Sequence, residues 1–131
     1  PDAIVEGGWT REGGYRCTDQ LLEQKVTAIF CMNDIMAGGV YDRLTEKGLV
    51  PGKDIAVVGF DNRELSNFYQ PPLTTIELPL YEIGYTSCQN VIEDIESQDS
   101  GEQTESKHRM VELPVPCKLL VRGSVQNISG K

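Results

Sequence analysis

Asn33 and Asp34 follow directly on the apolar run VTAIFCM (Val26–Met32), and Asp61 follows directly on IAVVGF (Ile55–Phe60). Polar residues placed where a buried strand ends and the chain turns are those that open α/β sheets present to ligands. An amide at Asn33 and a carboxylate at Asp61, side by side at one sheet edge, make a convergent pair suited to the hydroxyls of a sugar-like molecule. Asp34 would then cap the helix that follows. The competing reading is that Asn33 and Asp34 only cap, a role worth about 1 kcal/mol each, and that Asp61 merely closes a loop. Gly59 would let the backbone approach a ligand closely. Trp9, the sole tryptophan, sits between Gly7-Gly8 and a helix start, where its ring serves either as an apolar platform for a ligand or as a core anchor.

Catalytic chemistry finds no support in the residues. The chain carries no P-loop, no nucleophile elbow and no HExxH, and its single histidine, His108, adjoins a polar stretch and is expected to be solvated. Asp34 and Asp61 could in principle share acid and base work, but no nucleophile stands beside them. No His and Cys set has zinc spacing. The expectation is a binding module, not an enzyme, with no metal and no cofactor.

Charge narrows the partners. The chain has 131 residues and a net charge of −8, with its twelve Lys and Arg scattered. A phosphate backbone would be repelled, because nucleic-acid affinity comes largely from cationic side chains displacing counterions. An anionic membrane surface would be repelled for the same reason, and no apolar stretch approaches the roughly 20 residues that span a bilayer. Cys17, Cys31, Cys88 and Cys117 are widely separated, and two lie in apolar runs, where thiols pack as small hydrophobes. Reduced cysteines fit a cytoplasmic setting. The start at Pro1 without methionine suggests a segment lost upstream.

These residues need elements to hold them. Val26–Met32 and Ile55–Phe60 read as strands buried on both faces of a parallel sheet. Between them, Met36, Val40 and Leu44 stripe one side of a helix over Asp34–Lys47, which Gly48 and Pro51 stop. Thr10 caps a helix over Arg11–Gln24, and Ala3–Val5 reads as the end of an earlier strand. Leu73–Leu78, behind Pro71-Pro72, is a further strand. Tyr81–Ile95 is a second amphipathic helix whose apolar face needs a cover, either its own sheet or a second copy. Residues 97–109 are too polar for anything but an exposed loop. Met110–Val121, broken by Pro114 and Pro116, is an edge strand, and residues 125–131 are a tail. The class is α/β, a doubly wound, mostly parallel sheet with helices on both faces.

The order TAIFCMNDIMAGGVYDRLTEKGLVPGKDIAVVGFDN, then PPLTTIELP, an E-x-G helix and LPVPCKLLVRGS, resembles the C-terminal portion of LacI and GalR type transcription regulators. Their effector domain is similar to periplasmic sugar-binding proteins. The resemblance implies two α/β halves with the effector between them. Residues 3–75 and 111–123 would build the C-terminal half of a partial effector-binding domain spanning 1–124, and residues 78–96 would cross into an otherwise missing N-terminal half. It places Trp9, Asn33 and Asp61 against a sugar-like effector. It assigns the helix Ile35–Leu44 and residues 67–69 to a homodimer face, with Gly38, Tyr41, Asp42 and Tyr69 as contacts. Operator DNA would be bound through a missing N-terminal head, and effector binding by this chain alone would be weak. Leu78 and Leu80 depart from the polar and aromatic residues of some members, implying a less polar ligand or one that does not touch this side. Two alternatives remain: an exported sugar-binding protein of a transporter and, more distantly, a receiver-like domain phosphorylated on Asp61.

Overall fold

A computed structural model describes residues 3–99 and 115–126. The chain divides into two compact units, residues 1–77 with 118–131, and residues 78–117.

The first unit starts with α1 (Arg11–Glu23). Its N-terminus is closed as the sequence leads one to expect: the Thr10 side chain accepts a hydrogen bond from the Gly13 amide at 3.0 Å, satisfying a donor that has no partner within the helix. There follow β1 (Ala28–Phe30), α2 (Asp34–Glu46), β2 (Ala56–Phe60), a short 3-10 helix (Glu64–Asn67), β3 (Thr74–Glu77) and, after the second unit, β4 (Lys118–Leu120). The four strands lie in the order β1-β2-β3-β4, parallel except for the antiparallel β4. The protein is therefore mixed α/β with a mostly parallel sheet. Strand order follows chain order, and α1 and α2 pack together against the core. Phe30 of β1 is 54% exposed.

The core joins Ile29, Val57 and Leu73 from the sheet side to Ala37, Val40, Tyr41 and Leu44 of α2, with Leu21 and Leu22 of α1 against it. The α2 residues recur at the spacing that keeps one helix stripe turned inward. Helices α1 and α2 cross closely: a methyl group on Gly39 would strike the Arg11 carbonyl, and one on Gly14 would strike that of Met36. Gly48 ends the α2 region at φ +73°, a conformation glycine adopts without steric cost.

Three expectations are corrected. Residues 3–5 are not a strand. The edge strand expected over 110–121 is confined, among the described residues, to Lys118–Leu120. The second-unit helix, α3 (Leu80–Asp99), is longer than the apolar periodicity indicated and takes in residues 97–99 of the expected loop, a stretch that carries no glycine or proline. Tyr85, Val91, Ile92 and Ile95 of its apolar stripe are exposed. His108, the rest of the expected loop and most of the expected tail lie outside the described residues. All four cysteines are free, with Cys17 and Cys31 buried and Cys88 and Cys117 exposed. Burial pushes the Cys31 thiol up to about 12, so it packs as an apolar group.

Candidate functional site

Both polar positions singled out from sequence lie at the C-terminal ends of parallel neighbours, Asn33 beyond β1 and Asp61 beyond β2. Parallel pairing brings those ends to one edge, which neither local sequence could arrange alone. The capping roles differ from expectation. Asn33, not Asp34, is the N-cap of α2: its Oδ1 accepts from the Met36 amide at 2.7 Å. Its Nδ2 donates to the Trp9 carbonyl at 3.2 Å, which ties Trp9 to this edge. A side-chain amide has two N–H donors and an oxygen with two lone pairs, so these two bonds use half of the Asn33 side chain's hydrogen-bonding capacity. Trp9 itself is 65% exposed with φ +64°; it protrudes and is not a core anchor.

Asp34 opens the helix from inside and is fully buried. Its Oδ1 accepts from the Thr75 hydroxyl at 2.6 Å and its Oδ2 from the Arg63 amide at 2.7 Å. Burial, the strongest influence, holds its carboxyl above the usual carboxylate range, against the two hydrogen bonds that favour the charged form. Gly59 makes room for this contact: a methyl group there would collide with Asp34 Oδ1 and lie 2.8 Å from Leu73 Cδ2. Asp34 therefore links the start of α2 to β3 and to the turn after β2, where Asp61 stands.

That turn is unusual. Asp61 has φ +101° and Asn62 φ +52°, values that cost a non-glycine residue energy and recur at functional positions. The Asp61 amide donates to the Ile76 carbonyl at 3.0 Å, and its carboxylate lies 3.9 Å from the Arg63 guanidinium. The edge thus offers an exposed indole, a partly satisfied amide and a partly exposed carboxylate, a set fit to bind a neutral polyhydroxyl ligand. Among the described residues no cluster of His, Cys, Asp and Glu could hold a metal ion.

The four residues expected at a dimer face also come together. The Tyr41 and Tyr69 rings are 5.1 Å apart, and Tyr41 donates to the Pro71 carbonyl at 2.9 Å. Asp42 receives a two-pronged hydrogen bond from Arg11 at 2.7 and 2.8 Å. Gly38 and Tyr41 are buried within the chain, and a methyl group on Gly38 would strike the Tyr69 hydroxyl. What faces outward is a groove of about 550 Å³ lined in part by Tyr15, Asp42, Glu46 and Tyr69, with Phe68, 72% exposed, at its rim.

Residues 2–125 match the family described as periplasmic binding protein-like domain. The chain belongs to this family. This periplasmic binding protein-like domain is 38% identical over 130 residues to the HTH-type transcriptional repressor PurR of Haemophilus influenzae strain PittEE, covering 98% of this chain and 37% of that protein. It is 37% identical over 128 residues to the repressor CytR of Escherichia coli K12, covering 96% of this chain and 35% of that protein. Among solved structures it is similar to a lac repressor dimer bound to operator and the anti-inducer ONPF, with TM-score 0.76, 34% identity and coverage of 93% of this chain and 40% of that one. It is also similar to a LacI family regulator from Enterococcus faecalis V583 with bound ribose, with TM-score 0.77, 30% identity and coverage of 92% and 42%. The domain spans well under half the length of these relatives, and the resemblance to LacI-type regulators stands.

Sequence reasoning missed Asn62, Thr75 and Arg122, which hold the site's turn. Asn62 was legible as the neighbour of Asp61. Arg122, 60 residues further on, carries no local signal.

Proposed function

We propose that this domain is the effector-sensing and dimerising part of a bacterial LacI-type transcription regulator, and that Trp9, Asn33 and Asp61 contact a sugar-like effector. The observation that carries the reading is the convergence of these three residues at one sheet edge, with Trp9 exposed and hydrogen-bonding capacity left on Asn33. Ribose in a similar regulator supports the ligand class. A homodimer would form through Asp42, Tyr69 and the Phe68 rim, above the buried Gly38 and Tyr41. Operator DNA would be contacted by a segment outside this chain, in keeping with the net charge of −8. The protein would act in the cytoplasm and catalyse no reaction. Regulation would follow from differential affinity: an effector that prefers one arrangement of the whole regulator shifts its population by that preference.

The test is a titration of the isotope-labelled chain with D-ribose into the tens of millimolar, read by nuclear magnetic resonance. Weak, saturable shifts confined to the Trp9 indole, the Asn33 side-chain amide and the Asp61 amide are expected. Shifts absent from all three at saturating sugar would overturn ribose as a ligand of this edge.

A further inference from the structure

We propose that Asn62 and Arg122 are positioning residues: together they clamp the strained turn after β2, so that the Asp61 carboxylate is presented at the sheet edge in one fixed orientation. The inference rests on the effector reading above for its purpose, but not for its structural content.

Two consecutive non-glycine residues with positive φ, Asp61 and Asn62, persist only where the surroundings over-determine them. Here the surroundings are specific. The Asn62 amide donates to Thr75 Oγ1 at 3.3 Å, and its Nδ2 donates to Glu77 Oε1 at 2.8 Å. Its Oδ1 accepts from Arg122 Nη2 at 2.8 Å. Asn62 is thereby held through its backbone, its side-chain donor and its side-chain acceptor. The residue beyond it is fixed as well, by the Arg63 amide on Asp34.

Arg122 is the hub. While Nη2 holds Asn62, Nη1 donates to Ser66 Oγ at 2.9 Å and to the Leu73 carbonyl at 2.8 Å. One planar guanidinium therefore ties the turn to the 3-10 helix and to the approach to β3. Its own backbone amide is anchored on Thr74 Oγ1 at 2.8 Å. A rigid fork of donors suits this geometry, and a lysine ammonium does not. Asparagine suits position 62 because it tolerates the left-handed backbone and carries both an acceptor and a donor. Neither side chain is needed to contact a ligand; each acts through Asp61.

The experiment compares amide hydrogen exchange in the wild-type chain, Asn62→Ala and Arg122→Lys. Asn62→Ala removes the clamp without touching the bonds of Arg122 to Ser66 and Leu73, so it guards against a variant that simply fails to fold. In both variants exchange of the Asp61 and Asn62 amides should accelerate on the order of ten-fold, the equivalent of about one lost hydrogen bond, while the Val57 amide stays within roughly two-fold of wild type. Exchange at Asp61 unchanged in Asn62→Ala, or accelerated equally at Val57, overturns the clamp. A ribose titration of the same proteins separates the two readings. If wild type responds, Asn62→Ala should weaken the response about ten-fold while the urea midpoint falls by no more than the loss of about one hydrogen bond accounts for, about 1 M or less, and an unchanged affinity overturns the positioning role. If wild type does not respond, the ribose reading fails, and exchange still decides the clamp.

Discussion

A single methyl group at position 59 tests whether Asp34 organises this edge. In Gly59→Ala the new carbon would collide with Asp34 Oδ1 and sit 2.8 Å from Leu73 Cδ2. Leu73 is fully buried and has little room to yield, so the carboxylate must move. It then gives up its bonds to the Thr75 hydroxyl at 2.6 Å and the Arg63 amide at 2.7 Å. Hydrogen bonds to a charged group contribute about 1.5–3 kcal/mol each, so the loss of both should cost about 3–6 kcal/mol. That is a large part of the roughly 5–15 kcal/mol that holds a domain together. In urea, with a slope of about 1–3 kcal/mol per molar, the unfolding midpoint followed by circular dichroism should fall by at least about 1 M. The double variant Gly59→Ala with Asp34→Ala isolates the cause, since groups in direct contact do not add. It should be worse than Asp34→Ala alone by clearly less than the full Gly59→Ala cost, the remainder coming from the approach to Leu73. Fully additive costs, or a Gly59→Ala midpoint equal to wild type, would refute the argument.

Ser124 is buried; it accepts from the Thr74 amide at 2.7 Å and donates to the Val57 carbonyl. Ser124→Ala strands both and should cost about 1–3 kcal/mol in urea unfolding. Asp34→Asn should change the pH dependence of stability. Burial raises the Asp34 carboxyl in the folded state, so between the unfolded carboxyl value of about 4 and the raised folded value the native state binds more protons. Wild type therefore loses stability relative to Asp34→Asn as pH rises through that window; urea midpoints that converge in the opposite direction would contradict the assignment. Phe68→Asp places a charge on the exposed rim of the groove. If that face joins two copies, sedimentation velocity should show the variant shifted from dimer to monomer at concentrations where wild type is dimeric, with its circular dichroism unchanged.

The sequence by itself determined the elements whose signals are local. An apolar run before Asn33 and another before Asp61 marked two strands, though not that β1 buries only one face; the 3.6-residue stripe marked α2, and Thr10 and Gly48 marked helix ends, because side-chain periodicity and capping depend on near neighbours. It also placed Asn33 and Asp61 at strand ends, and the parallel pairing of β1 with β2 made that adjacency spatial. Which residue of Asn33-Asp34 caps was decided only in three dimensions: Thr75 and the Arg63 amide, both distant in sequence, take the Asp34 carboxylate, and the cap falls to Asn33. The same holds for Gly59, whose missing side chain makes room for Asp34, and for Gly38, which lies under Tyr69. The length of α3 was misread because apolar periodicity ends before the helix does. The hold of Arg122 on Asn62 was invisible because it depends on β4 pairing with β3 after an intervening unit, and hydrogen bonds closed by such long-range pairing leave no trace in the spacing of residues along the chain.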